Sequence, residues 1–208
     1  MMENSLARSS WPRRAIGLWR GFRDDARASA LVETALILPS ALLMFALLVF
    51  GAEAFAIQRK VTLTARTVTD LITQAGPPVL FTNTSGQPSL NESTIDNDLA
   101  VSSAVLAPYS GSNLTMVVSE VLVAAGATTA TVQWSEPYNG ATARAKNQVI
   151  TLPSGLGTGQ AGNYFVLGEV YYDYTPLNFY MSLSPITLYG SIYLTPRQSA
   201  SIAMNVGQ

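Results

Sequence analysis

The sequence predicts an α+β protein: a single N-terminal transmembrane helix continues into an amphipathic rod, packed on an antiparallel β-sheet domain with one short helix. Three patterns carry that prediction. Ala35 to Ala52 is a run of eighteen residues without a charge. Behind it, Ile57, Val61, Ala65, Val68, Ile72 and Ala75 recur at spacings of three and four, which is one face of a helix. From Leu114 onward the chain falls into runs rich in Val, Ile, Thr and Tyr, broken by Gly, Pro and Asn clusters. The implied organisation is a basic cytoplasmic leader over 1–28, the helix over 29–75, a linker over 76–93 and an extracytoplasmic α+β domain over 94–208.

The leader owes its assignment to charge. Arg8, Arg13, Arg14, Arg20, Arg23 and Arg27 are six of the twelve basic residues, and all precede Ala28. From Val61 onward four cations face eight carboxylates. Positive charge beside an apolar span marks the cytoplasmic side of a membrane helix, so the arm is read as a topology signal and not as a nucleic-acid site. Only 12% of the residues are charged, about half the roughly 25% of soluble chains. The chain has no cysteine and no histidine, which removes thiol nucleophiles, disulfides and imidazole bases. With no nucleophile, base and orienting group in view, neither catalysis nor a cofactor nor a metal is expected.

Roughly 20 helical residues cross a bilayer core of about 30 Å, and Leu31 and Val32 extend the uncharged run toward that length. A cleavable secretory signal ending at Ala52-Glu53-Ala54 is the competing reading. Its apolar part would exceed the usual ~7–15 residues, and the helical periodicity continues past Ala54. Pro39 inside the helix removes a backbone donor and crowds the preceding turn, so a kink is expected there, with Ser40 placed to compensate. Glu33 is costly at the edge of an apolar span and calls for a partner.

GPPVLFTNTSGQPSLNES, residues 76–93, has three prolines and no periodicity, which suits a connector. Asn91 and Ser93 offer caps for a helix over Thr94–Ala107, with Asp96 and Asp98 in its first turn. Strands are expected over Leu114–Ala124, Thr129–Trp134, Asn147–Leu152, Tyr164–Tyr174, Ile186–Leu194 and Ser199–Met204. In the fourth, Val166, Gly168, Val170, Tyr172 and Tyr174 form the expected core face. The glycine-rich loop Pro153–Asn163 lacks the Lys-Ser/Thr of a phosphate loop and reads as a hairpin connection. Tyr164, Tyr171, Tyr172, Tyr174, Tyr180 and Tyr189 read as strand aromatics.

The basic leader, then Ala28-Ser29-Ala30-Leu31-Val32-Glu33-Thr34-Ala35 and Leu36-Ile37-Leu38-Pro39, resembles the class III signal segment of TadE/TadG-like pseudopilins. Asp70-Leu71-Ile72-Thr73-Gln74, Val170 to Pro176 and Thr195-Pro196-Arg197 are similar to later parts of that family. The resemblance covers about a third of the chain, and Ala28 stands where the family has glycine. It implies cleavage between Ala28 and Ser29 by a prepilin peptidase. Glu33, the fifth residue after the cut, would be the assembly charge that meets a subunit's new amine. It further implies a minor pseudopilin of a Tad-type, type IV-like adherence pilus or secretion system. Its setting would be a bacterial inner membrane, single-pass, N-terminus cytoplasmic and C-terminal domain periplasmic, or a cell-surface pilus. The partners implied are the lipid bilayer, other pilin or pseudopilin subunits and the pilus assembly platform, without nucleic acid. The alternative is a permanently membrane-anchored periplasmic or surface binding module.

Overall fold

The computed structural model describes residues 26–74, 89–124, 126–156, 162–176 and 184–205. The leader through Asp25, most of the connector, residues 157–161 of the glycine-rich loop and Tyr180 lie outside these residues. The chain divides into two compact units, Met1–Gly51 and Ala52–Gln208. Helix α1, Ala26–Thr73, runs through the division and is α-helical on both sides of Pro39.

In the first unit, α1 is apolar on every side. Leu36, Leu42, Leu43, Met44, Phe45, Leu47 and Leu48 are all more than half exposed. A helix apolar all round has no polar face to give to water. This is the one helix among the described residues long and apolar enough to span a membrane, and its most apolar eighteen residues have mean hydropathy 2.4 and are not buried.

The second unit is α+β, built on a curled antiparallel sheet. Strand β1 (Ser89–Asn91) leads into α2 (Glu92–Ser103), and β2 (Leu114–Val123), β3 (Thr129–Tyr138), β4 (Val149–Thr151), β5 (Asn163–Tyr174), β6 (Ile186–Leu194) and β7 (Ala203–Asn205) follow. Five strands form one sheet in the order β4-β3-β2-β5-β6, every pairing antiparallel. The other two, β1 and β7, pair parallel as a separate ribbon. The expected strand over Ser199–Met204 is thus a shorter one, and its partner lies within the expected linker. α2 starts two residues before Thr94, with Asn91 at its N-cap, so Glu92 occupies the first turn in place of Asp96 and Asp98. The Asn91 side chain makes no capping bond.

The periodic face of α1 is buried: Ile57, Val61, Ala65, Val68 and Ile72 join Leu114, Met116, Val118, Val166, Val170, Tyr172 and Tyr174 in the main core. Each fully buried side chain of this kind stabilises by about 1.5–3 kcal/mol. α1 can approach because β5 and β6 present glycines: Gly168 lies against Thr69 and Ala65, and Gly190 against Val61 and Thr62. A Cβ at Gly168 would collide with the Thr69 Oγ1, which is held by the Ala65 carbonyl at 2.7 Å. Gly168→Ala should therefore lower unfolding free energy by about 2 kcal/mol, the usual cost of overpacking. Thr69→Ala in the same chain should return part of it. Urea unfolding of the detergent-solubilised chain measures both, and a Gly168→Ala chain as stable as the parent would contradict this packing.

The opposite sheet face is also covered. Val121, Val123, Ala130, Val132, Ile150, Leu152 and Leu167 form a second core. The two faces are reconciled by a bulge: Glu120 pairs with Trp134 while Val121 pairs with Val132, leaving Gln133 as the extra residue. Val132 thereby turns to the second core, and Trp134 stands opposite Glu120 on the helix side.

Candidate functional site

The residues singled out from sequence lie in the first unit. α1 begins at Ala26, so the Ala28–Ser29 bond falls inside its first turn. Glu33 follows Ser29 by four residues, one turn further along the same helix, and is exposed. Thr34 and Ser40 turn their hydroxyls onto the helix backbone, Thr34 Oγ1 donating to the Ala30 carbonyl at 2.8 Å and Ser40 Oγ to the Ile37 carbonyl at 2.7 Å. The carbonyl deprived of a donor by Pro39 is that of Ala35, four residues back. Ser40 thus hides its own hydroxyl and leaves the Ala35 carbonyl to another donor. Apart from Glu33, the segment from Ala30 to Ala52 presents only uncharged side chains. Its chemistry is one carboxylate at the start of a surface suited to lipid or to other apolar helices.

Two buried carboxylates in the second unit were not singled out from sequence. Glu120 of β2 is 2% exposed. Its Oε1 accepts the Ile202 N–H at 2.6 Å, and its Oε2 accepts the Trp134 Nε1–H at 3.1 Å. The same indole N–H donates to the Ile202 carbonyl at 2.7 Å. Burial pushes the Glu120 carboxyl up to about 7, against the smaller lowering effect of the Ile202 and Trp134 hydrogen bonds. With Ile202 fully buried and β7 paired to β1, the cluster fastens the C-terminal segment to the sheet. A cleft of about 500 Å³ opens beside it, lined in part by Glu92, Gln133, Glu136, Lys146 and Tyr164.

Glu169 of β5 sits on the other face of the sheet. Arg144 grips it with two parallel bonds, Nε to Oε2 and Nη2 to Oε1, both 2.7 Å. Tyr189 and Tyr171 add hydroxyl donors to Oε1 at 3.0 and 3.3 Å. The two tyrosine rings stack at 4.9 Å with a 39° tilt. The carboxylate raises the already high Arg144 value, and burial, more than Glu169, pushes Tyr189 up to about 12. Arg144 also donates its backbone N–H to Ser135 Oγ at 3.0 Å, so this residue ties the connection between β3 and β4 to β3 as well as to β5. Three donors converge on Oε1 and one on Oε2, which makes the cluster a clasp between β5, β6 and the connection carrying Arg144.

The sequence held one hint of each cluster, a glutamate in the middle of an apolar strand run. It held no hint of the partner. Tyr172 and Tyr174 join the core as expected, and Tyr174 also donates to Glu53 Oε2 at 3.0 Å. Comparison of the chain with known protein families, curated proteins and solved structures finds no match.

Proposed function

We propose that this chain is a minor pseudopilin of a Tad-type, type IV-like adherence pilus or secretion system, made as a single-pass inner-membrane precursor. The observation that carries the reading is the apolar segment of α1, exposed on all sides and interrupted only by Glu33 near its start. Such a surface suits lipid first and a bundle of like helices afterwards. The resemblance of Ala28 to Pro39 to the class III signal adds the processing step. After a prepilin peptidase removes the leader, the amine of Ser29 and the carboxylate of Glu33 become opposite charges that neighbouring subunits pair. A buried pair of this kind sets register better than it adds stability, because desolvation offsets most of the attraction. Glu33→Ala should leave membrane insertion intact and reduce incorporation into filaments, read as membrane-fraction yield against sheared-pilus yield; equal filament yield would argue against this role.

The deciding experiment is the N-terminal residue of the mature protein in its host, with and without the prepilin peptidase. A peptidase-dependent start at Ser29 supports the pseudopilin. A leader that stays attached supports the second reading, a permanently anchored binding module, which Ala28 in the place of glycine favours. A start at Phe55 would make the apolar segment a secretory signal.

A further inference from the structure

The second unit carries two patches of opposite charge that its own ion pairs do not neutralise. Opposite the core face of α1 stand Phe55, Arg59, Leu63 and Arg66, with Phe55 67% and Leu63 48% exposed. Arg59 and Arg66 are exposed too. Among the described residues the ion pairs are Arg144 with Glu169 and Arg197 with Asp70, so neither arginine meets a carboxylate. The acidic patch is Glu92 and Asp96, one turn apart on α2, together with Glu136 of β3. Their closeness is felt by Glu136, whose carboxyl is raised by burial first and then by the negative charges of Glu92 and Asp96. Lys146 lines the cleft beside Glu92 and Glu136 without pairing to either.

These patches occupy different flanks of the helical layer. α1 lies over β5 and β6, where Gly168 and Gly190 receive it and Gln58 Nε2 donates to the Tyr189 carbonyl at 2.8 Å. α2 packs against β3. In the sheet order β3 and β6 are three strand spacings apart, roughly 14 Å, so one unit cannot bring its arginines to its own acidic patch.

We propose that this unit docks on a second copy of the chain, the Arg59 and Arg66 face of α1 on one copy meeting the Glu92, Asp96 and Glu136 flank of the next. The proposal deepens the assembly reading above and rests on it. Charge complementarity sets partner choice and orientation, while Phe55 and Leu63, exposed beside the arginines, supply the apolar contact an interface needs. A head-to-tail contact leaves one patch of each sign free on every docked pair, so it propagates to further copies.

The test uses the full-length chain in detergent micelles, in two differently tagged forms, with one captured and the other quantified. Arg59→Glu/Arg66→Glu makes both patches acidic, and Glu92→Lys/Glu136→Lys makes both basic. Each variant should capture itself roughly tenfold less than the parent captures itself at low salt, and the loss should shrink as salt screens the repulsion. A mixture of the two variants should restore capture to near the parental level. Self-capture unchanged in both variants would overturn the proposal while leaving the apolar-helix reading standing. A mixture that fails to restore capture would also overturn it. The N-terminal start of the same chains reports on the pseudopilin reading separately.

Discussion

Arg144→Ala should lower the unfolding free energy of the chain by about 3 kcal/mol, the lower end of what removing one member of a buried ion pair costs. Glu169 is 3% exposed and accepts both guanidinium bonds. Without Arg144 it keeps only the Tyr171 and Tyr189 hydroxyls, which donate hydrogen bonds but do not neutralise its charge. Those two donors are why the loss stays at the lower end. The penalty belongs to the stranded carboxylate more than to the lost attraction, so Arg144→Ala in a Glu169→Gln background should cost about 1 kcal/mol. Arg144→Lys keeps the charge but not the two-pronged grip, and should fall between. Denaturant unfolding of these chains beside the parent gives the coupling directly. If Arg144→Ala cost the same in the parent and in the Glu169→Gln background, the pair would not be what holds the connection between β3 and β4.

Stability should fall as pH rises from about 5 to about 7.5, and Glu120→Gln should flatten most of that slope. The Glu120 carboxyl lies at about 7 in the folded chain against an ordinary 4.5. A raised carboxylate favours its protonated form when folded. Its contribution to stability is therefore full below the ordinary value, declines as pH climbs from there through about 7, and levels off above. The spread corresponds to about 3 kcal/mol. The chain has no histidine, so no imidazole titrates in this window; burial shifts Asp98 and Glu136 in the same direction as Glu120 and leaves a residual slope. A glutamine keeps an acceptor for the Ile202 N–H, and Trp134 retains the Ile202 carbonyl at 2.7 Å. Glu120→Gln should therefore be more stable than the parent at pH 7.5 and close to it at pH 5, by thermal melting in detergent. Parallel pH profiles for the two chains would show that Glu120 does not carry the dependence.

Two kinds of information separate in this protein. A helix face repeats within a few residues, so Ile57, Val61, Ala65, Val68 and Ile72 could be placed in the core from spacing alone. The uncharged run from Ala35 to Ala52 likewise declares its preferred surroundings residue by residue. Strand composition located β2, β5 and β6 nearly to their ends. Face alternation was legible in β5 for Val166, Val170, Tyr172 and Tyr174, but it did not warn that Leu167 and Glu169 on the other face are buried too. That second face is covered by Ile150 and Leu152 and by the connection carrying Arg144, elements whose destination no local pattern states.

What the chain could declare unaided was whatever each residue settles with its near neighbours and its solvent: the long apolar helix, the amphipathic face behind it and the β character of the remainder. The tertiary structure alone decided the pairings across long separations. β1 meets β7 across more than a hundred residues, the bulge at Gln133 turns Trp134 toward Glu120, and Ile202 closes on Glu120 from 82 positions away. Strands of three residues carry too little pattern to name a partner. A buried carboxylate is tolerable only where distant donors converge on it, and that convergence exists only once water has been excluded by the completed fold.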